Sequence, residues 1–74
     1  MRDYHINIFW SDEDGCYVAD VPDLPHCSAF GDSASEALAE VEKAKAGWLA
    51  TARANGIAIP EPAYRPPTPA AAQR

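Results

Sequence analysis

Three consecutive carboxylates, Asp12, Glu13 and Asp14, are the side chains of this sequence that most directly suggest chemistry. Clustered carboxylates can hold Mg²⁺ for phosphoryl transfer, which is the chemistry of a nuclease. A two-metal nuclease, however, needs carboxylates that converge from separate elements of a rigid frame. Because these three are adjacent and precede Gly15, the pattern favours a solvated turn. A small nuclease that uses them is kept as an alternative.

The two cysteines and two histidines are the remaining candidate metal ligands, namely Cys16, Cys27, His5 and His26. Their spacing lacks the close pairs that structural zinc sites use, so we predict no metal and no cofactor. The start of the chain does not resemble a secretion signal, and we therefore expect free thiols and a cytoplasmic location. No catalytic triad or Cys-His pair can be argued from spacing, so we do not expect an enzyme.

The acidic residues are concentrated in one part of the chain. Residues 1–42 hold ten of the eleven acidic side chains and one basic side chain, whereas residues 43–74 hold five basic and one acidic. An acidic surface repels nucleic acid and attracts a basic protein, although such charges can also serve only solubility. We predict a protein partner, and the candidate contact residues are Asp12, Glu13, Asp14, Asp20 and Asp23.

Residues 4–10 alternate between apolar and other positions, which predicts a β-strand. One face of this strand would carry four apolar residues and turn toward the core, while Phe9 would lie on the opposite face and be exposed. The four predicted core-facing residues are Tyr4, Ile6, Ile8 and Trp10.

Turn signals divide the rest of the first half into short strands. Asp14-Gly15 predicts a hairpin, so residues 16–21 should return as a second strand. Pro22 and Pro25 remove backbone donors and bracket a connection to a third strand at residues 27–31. A fourth strand is predicted at residues 57–59 from its β-branched content.

Residues 31–56 form the longest periodic segment and predict an amphipathic helix. Ser33 is the expected N-cap, and Glu36 is expected to complete a capping box by reaching back to the Ser33 amide. Asn55-Gly56 supplies the stop signal. Trp48 is expected in the core, on a stripe that also contains Ala37, Leu38, Val41, Ala44, Lys45, Leu49 and Ala52.

These elements predict an α+β fold in the order strand-strand-strand-helix-strand, with a small antiparallel sheet and the helix packed on one face. We expect one domain over residues 1–62. Residues 63–74 are rich in proline and alanine and cannot build a core, so we predict a flexible tail there.

The order of several motifs resembles a known family. These motifs are YxIxIxW at residues 4–10, the DG turn, the PDLP connection at residues 22–25, the GDS helix entry at residues 31–33 and the IPEP ending at residues 59–62. Together they resemble the HicB-like antitoxins of HicA/HicB toxin–antitoxin pairs. The resemblance covers about residues 3–62.

The resemblance implies a degraded RNase H-like fold and an antitoxin that binds a small basic HicA toxin. HicA toxins cleave mRNA, and the antitoxin masks their catalytic histidine. Longer HicB proteins carry a DNA-binding domain after this module, but only a short tail follows here, so we expect no direct DNA binding by this chain. The alternatives are an RNase H-like nuclease that uses the Asp12–Asp14 carboxylates and an orphan HicB-like oligomer.

The sequence also predicts self-association. A four-stranded sheet leaves two edges with unpaired backbone groups, and residues 4–10 contain neither proline nor lysine to block pairing. Phe9 would add an exposed apolar side chain to the face away from the helix. We therefore expect a homodimer or tetramer that uses this face or an edge strand. No apolar run is long enough to cross a membrane.

Overall fold

The computed structural model describes residues 3–65, which form three strands followed by one helix. The strands are β1 (Asn7–Ser11), β2 (Cys16–Asp20) and β3 (Ser28–Gly31), and the helix is α1 (Ala34–Ala54). The sheet is antiparallel in the order β1-β2-β3, and α1 packs on one of its faces, mainly over β2 and β3. The predicted α+β class, the antiparallel arrangement of the first three strands and the helix packed on one face are confirmed.

The strand register assigns each side chain to one of two faces, because residues opposite each other across an antiparallel pair project to the same side. Two cross-strand rows face α1: Ile8, Ala19 and Ala29, and then Trp10, Tyr17 and Gly31. The row made by Phe9, Val18 and Phe30 projects away from the helix.

The helix approaches the sheet most closely at Gly31. A Cβ atom added to Gly31 would lie 2.4 Å from the backbone nitrogen of Ala37, so only glycine allows this approach. At the helix start, Ser33 is the N-cap and its Oγ accepts a hydrogen bond from the Glu36 amide at 3.1 Å. The Glu36 carboxylate accepts from the Asp32 amide rather than from the predicted Ser33 amide.

The helix ends near the predicted stop. Asn55 is the C-cap, and Gly56 follows with a φ of +68°, which a residue with a Cβ atom rarely adopts. Within residues 3–65, no helix combines the length and the apolar character needed to cross a membrane.

The core lies between α1 and the helix-facing side of the sheet, and the connection after β2 closes one end of it. In this connection, Leu24 is 1% exposed and its amide donates to the Val21 carbonyl at 3.1 Å. Trp48 is half-buried against the core, and its indole nitrogen donates to the Pro25 carbonyl at 3.0 Å. The buried apolar residues are Tyr4, Ala19, Val21, Leu24, Cys27, Ala37, Val41 and Ala52.

The prediction of a fourth strand at residues 57–59 was wrong, because no strand follows α1 within the described residues. Ile57 is 55% exposed, whereas Ile59 packs partly against the core. The segment is held by a side-chain hydrogen bond from the Tyr4 hydroxyl to the Pro60 carbonyl instead of a backbone ladder. The Ile57 amide already donates to the Ala52 carbonyl at the end of the helix, at 2.8 Å, and Pro60 has no amide with which to extend a ladder.

The first strand is shorter than predicted, since it begins at Asn7 rather than residue 4. Tyr4 is buried and Ile6 packs against the core, in agreement with the alternation. Ile8 and Trp10, which were expected in the core, are 38% and 51% exposed. The reason is that β1 is an edge strand and α1 covers mainly the other two strands.

Most of the predicted tail, residues 66–74, lies outside the described residues. Its first part is held by hydrogen bonds, because the backbone amides of Ala63 and Tyr64 donate to the Asp23 carboxylate at 3.1–3.2 Å. The domain limit at residue 62 stays a prediction.

Candidate protein-binding site

The turn between β1 and β2 presents three exposed carboxylates in an ordered backbone. The Ser11 hydroxyl donates to Asp14 at 2.9 Å, and the Asp14 amide donates back to the same hydroxyl oxygen at 3.2 Å. Gly15 closes the turn at a φ of +65°, and its amide donates to the Ser11 carbonyl at 2.9 Å. These local bonds hold the turn that carries Asp12, Glu13 and Asp14 in solvent.

An aromatic pair adjoins this turn. The indole nitrogen of Trp10 donates to the Asp12 carboxylate at 2.8 Å, and the Trp10 ring meets Tyr17 edge to face with centroids 5.2 Å apart. Trp10 is half-exposed, so an apolar surface lies directly beside the carboxylates. Exposed aromatic residues flanked by polar groups are typical of protein-binding surfaces.

Sequence reasoning missed Trp10 as a candidate contact residue and assigned it to the core. Alternation alone places Trp10 on the helix-facing side, and the register agrees. Alternation does not show which strands α1 covers, and α1 contacts β1 least of the three strands. The sequence contained one signal that Trp10 is exposed. The residue lies close to the three charges of the acidic turn, so it stands at the end of its strand.

The carboxylates do not converge on one point as a metal-dependent nuclease would require. Asp12, Glu13 and Asp14 belong to one turn, whereas Asp20 lies at the other end of β2, about 13 Å further along the strand. Within residues 3–65, no group of three or more His, Cys, Asp or Glu side chains is placed to hold a metal ion.

The cysteines are free thiols, Cys16 half-buried and Cys27 buried. Burial raises the pKa of the Cys27 thiol above its ordinary value. His5 is engaged elsewhere, since its Nε2 shares a hydrogen bond with the Asn7 side chain at 2.7 Å and its ring packs on Tyr64.

Comparison with known proteins assigns the chain to a family. A family model described as the HicB-like antitoxin of a bacterial toxin–antitoxin system matches residues 4–65. The chain belongs to the HicB-like antitoxin family. It is also similar to the UPF0150 protein Ta0767 of Thermoplasma acidophilum, with 36% identity over 53 residues, which cover 72% of this chain and 77% of the relative. No solved structure matches the chain.

In this HicB-like chain, the five acidic residues predicted to bind a partner occupy three separate places. The turn holds three of them. Asp20 is half-buried on the sheet face that points away from α1. Asp23 accepts both amide hydrogen bonds from Ala63 and Tyr64, so its carboxylate tethers the segment after the helix. Their roles in partner binding stay predictions, and the turn offers the least obstructed carboxylates.

A buried lysine with two carboxylate partners lies outside the residues predicted to form a site. Lys45 is 9% exposed, and its ammonium donates to Asp3 at 2.9 and 3.0 Å and contacts Glu42 at 3.0 Å. The hydrogen bond to Asp3 raises the pKa of Lys45 in spite of burial, and Glu42 adds to the effect. The hydrogen bond from Lys45 lowers the pKa of Asp3 in turn. This cluster joins Asp3 to the middle of α1.

Proposed function

We propose that this HicB-like chain binds a HicA-like mRNA-cleaving toxin and neutralises it by protein–protein contact. The observation that carries the proposal is the match to the HicB-like antitoxin family, which spans nearly all of the described residues. Antitoxins of this family act through a toxin partner, and the acidic first half of the chain suits a basic one.

The turn between β1 and β2 supports this proposal best as the contact region. Its three carboxylates are exposed, and local hydrogen bonds hold the turn that carries them, so they can attract a basic surface at little cost in ordering the backbone. Trp10 adds a half-exposed aromatic ring that a partner could cover. In this arrangement the charges guide the encounter, and the aromatic ring supplies burial in the complex.

The proposed role is binding rather than catalysis. A nuclease would need convergent carboxylates, and the carboxylates of the turn come from one element. The only helix of the described residues packs against the sheet, so it does not offer a free recognition helix for a DNA groove. We place the protein in the cytoplasm because a toxin that cleaves mRNA acts there.

A calorimetric titration tests the binding. The partner is the protein encoded by the neighbouring gene, provided that it is a short basic chain with a central histidine. It is titrated with the native antitoxin chain and with the triple variant Asp12→Asn, Glu13→Gln, Asp14→Asn. We expect the affinity of the native chain to fall as the salt concentration rises. The variant should bind at least about tenfold more weakly, and its affinity should depend less on salt. A matched control neutralises exposed Glu40 on the helix and should bind like the native protein.

Two results would overturn the proposal. One is the absence of any binding to the neighbouring toxin at high protein concentration. The other is Mg²⁺-dependent cleavage of RNA by the chain itself that disappears in the variant Asp12→Asn, Asp14→Asn, because that result would show a nuclease.

A further inference from the structure

The segment that follows α1, residues 57–65, contacts residues at the end of the sheet that lies opposite the acidic turn. It contains no helix or strand. Its partners are Tyr4 and His5, which precede β1, and Asp23, which follows β2. β1 begins and β2 ends there, whereas the acidic turn joins the other ends of both strands. We call residues 57–65 the strap.

Side chains of the domain hold the strap by its backbone. The Tyr4 hydroxyl donates a hydrogen bond to the Pro60 carbonyl. Further along, the Asp23 carboxylate accepts hydrogen bonds from the successive amides of Ala63 and Tyr64 at 3.1–3.2 Å. A donor that meets a carbonyl and an acceptor that meets two amides are the means by which a binding site holds an extended, proline-containing peptide.

Two strap side chains add apolar and aromatic contacts. Ile59 packs partly against the core, and the Tyr64 ring lies on His5 with ring centroids 4.9 Å apart. By contrast, Ile57 is 55% exposed and Glu61 is also exposed. A segment with so few buried contacts opens at a lower free energy than the strands and the helix.

We propose that Tyr4, His5 and Asp23 form a peptide-binding site that the strap occupies in the folded chain, and that the strap opens and closes as one unit. The open site accepts an extended partner segment with a proline carbonyl and, four residues later, an aromatic ring, as Pro60 and Tyr64 provide. Proline holds such a segment extended before it binds, so little conformational entropy is lost.

The strap therefore competes with any partner segment of this kind. A tethered segment reaches its own site at an effective concentration that is roughly millimolar. A free segment binds well only when the strap is weakened, which makes the strap an autoinhibitory contact. This inference does not depend on the toxin, because the acidic turn lies at the other end of the sheet.

Hydrogen exchange of the full chain tests whether the strap opens as one unit. Tyr4→Phe removes only the hydroxyl that meets Pro60. Exchange at the Ala63 and Tyr64 amides should nevertheless become about three- to tenfold faster, because all strap contacts open together. The matched control is Tyr17→Phe, since Tyr17 belongs to the aromatic pair beside the acidic turn. It should leave exchange at both amides unchanged.

Binding of a free peptide tests the site itself. The probe is a synthetic peptide with the sequence of residues 57–65, and NMR signals of the labelled full chain report its binding. The double variant Ile59→Ser, Tyr64→Ser weakens the chain's own strap. The peptide should shift the Tyr4 and Asp23 signals of this variant at a concentration at least about tenfold lower than for the native chain.

Three controls accompany the peptide titration. Adding Asp23→Ala to the double variant should abolish the shifts, because the acceptor of two peptide amides is then absent. Glu61→Gln alters an exposed strap residue and should behave like the native chain. A peptide with the same composition in reversed order should produce no shifts. Circular dichroism shows that each variant is folded, and Tyr64→Ser alone replaces the double variant if that variant does not fold.

The proposal fails if Tyr4→Phe leaves exchange at Ala63 and Tyr64 unchanged, since the strap would then fray from its end. It also fails if the peptide shifts no signal of the strap-weakened variant, or shifts the same signals after Asp23→Ala. None of these results bears on toxin neutralisation by the native chain.

Discussion

At the residue scale, the contact between Lys45 and Asp3 shows how a charged side chain can be buried in a helix stripe. The sequence placed Lys45 on this stripe, and the structure buries it with two carboxylate partners. The Asp3 carboxylate is 71% exposed, so the pair joins a buried ammonium to a carboxylate near water. An exposed partner limits the stabilisation that such a pair provides.

This pair predicts a pH dependence for the variant Asp3→Asn. The pKa of Asp3 is lowered, so its contribution to stability is complete above the ordinary carboxyl pKa and is lost as pH falls through the lowered value. We expect the variant to lose up to about 1 kcal/mol of unfolding free energy at pH 7. The native chain and the variant should converge near pH 2, as measured by urea unfolding.

A control for this experiment is Glu40→Gln, which breaks the exposed pair with Lys43. It should change unfolding free energy little at either pH. If Asp3→Asn and the native chain differ by the same amount at both pH values, the ion pair does not stabilise the fold.

A second residue-scale prediction concerns Asp23, which holds the segment after the helix. Asp23→Ala removes the acceptor of the Ala63 and Tyr64 amides and should cost about 1 kcal/mol or less, because both amides are near solvent. Hydrogen exchange at these two amides should become faster while exchange in β2 is unchanged. Unchanged exchange at Ala63 and Tyr64 would contradict the tether.

At the element scale, replacing glycine with alanine should have opposite effects on stability at two positions, one beside α1 and one inside it. Gly31→Ala places a Cβ atom within 2.4–2.9 Å of helix backbone atoms, which cannot move without shifting α1. We expect a loss of about 3 kcal/mol or more. Gly47→Ala is the matched control, because it meets nothing within 4 Å and replaces glycine inside a helix. It should stabilise the protein by about 0.5–1 kcal/mol.

Thermal and chemical unfolding of the two glycine variants provides the measurement. A Gly31→Ala variant as stable as the native chain would show that the helix does not approach the sheet at this position. The comparison is internal, since both substitutions add one methyl group to the same chain.

The elements also show which features the sequence can predict. Ser33, Gly15 and Asn55-Gly56 act through hydrogen bonds within a few residues, so their sequence signals sufficed to place the helix and the hairpin. The segment at residues 57–59 has the composition of a strand, but pairing depends on a distant edge that composition does not describe. Tyr4 instead holds this segment through Pro60.

The sequence predicted only the local features of the candidate site. The acidic turn is a local feature and was found directly, as was the position of Phe9 on the face away from α1. The exposure of Trp10 depends on which strands the helix covers, and the use of Asp23 depends on a segment forty residues later. Both depend on contacts between residues far apart in the sequence, which periodicity does not predict.

At the scale of the whole molecule, the chain separates two kinds of surface. One end of the sheet carries the acidic turn with Trp10, and the sheet face away from α1 carries the uncharged row of Phe9, Val18 and Phe30. We propose that the acidic turn binds the toxin. Self-association through the face that carries Phe9 stays a prediction.

Neutralisation of a HicA-like toxin by this HicB-like chain can be measured by a titration of RNA cleavage. A fixed amount of the toxin from the neighbouring gene is mixed with increasing amounts of the native chain, and the rate of RNA cleavage is measured. We predict that cleavage falls linearly and stops when each toxin molecule has one chain. Cleavage that continues unchanged with the chain in large excess would show that the chain does not neutralise this toxin.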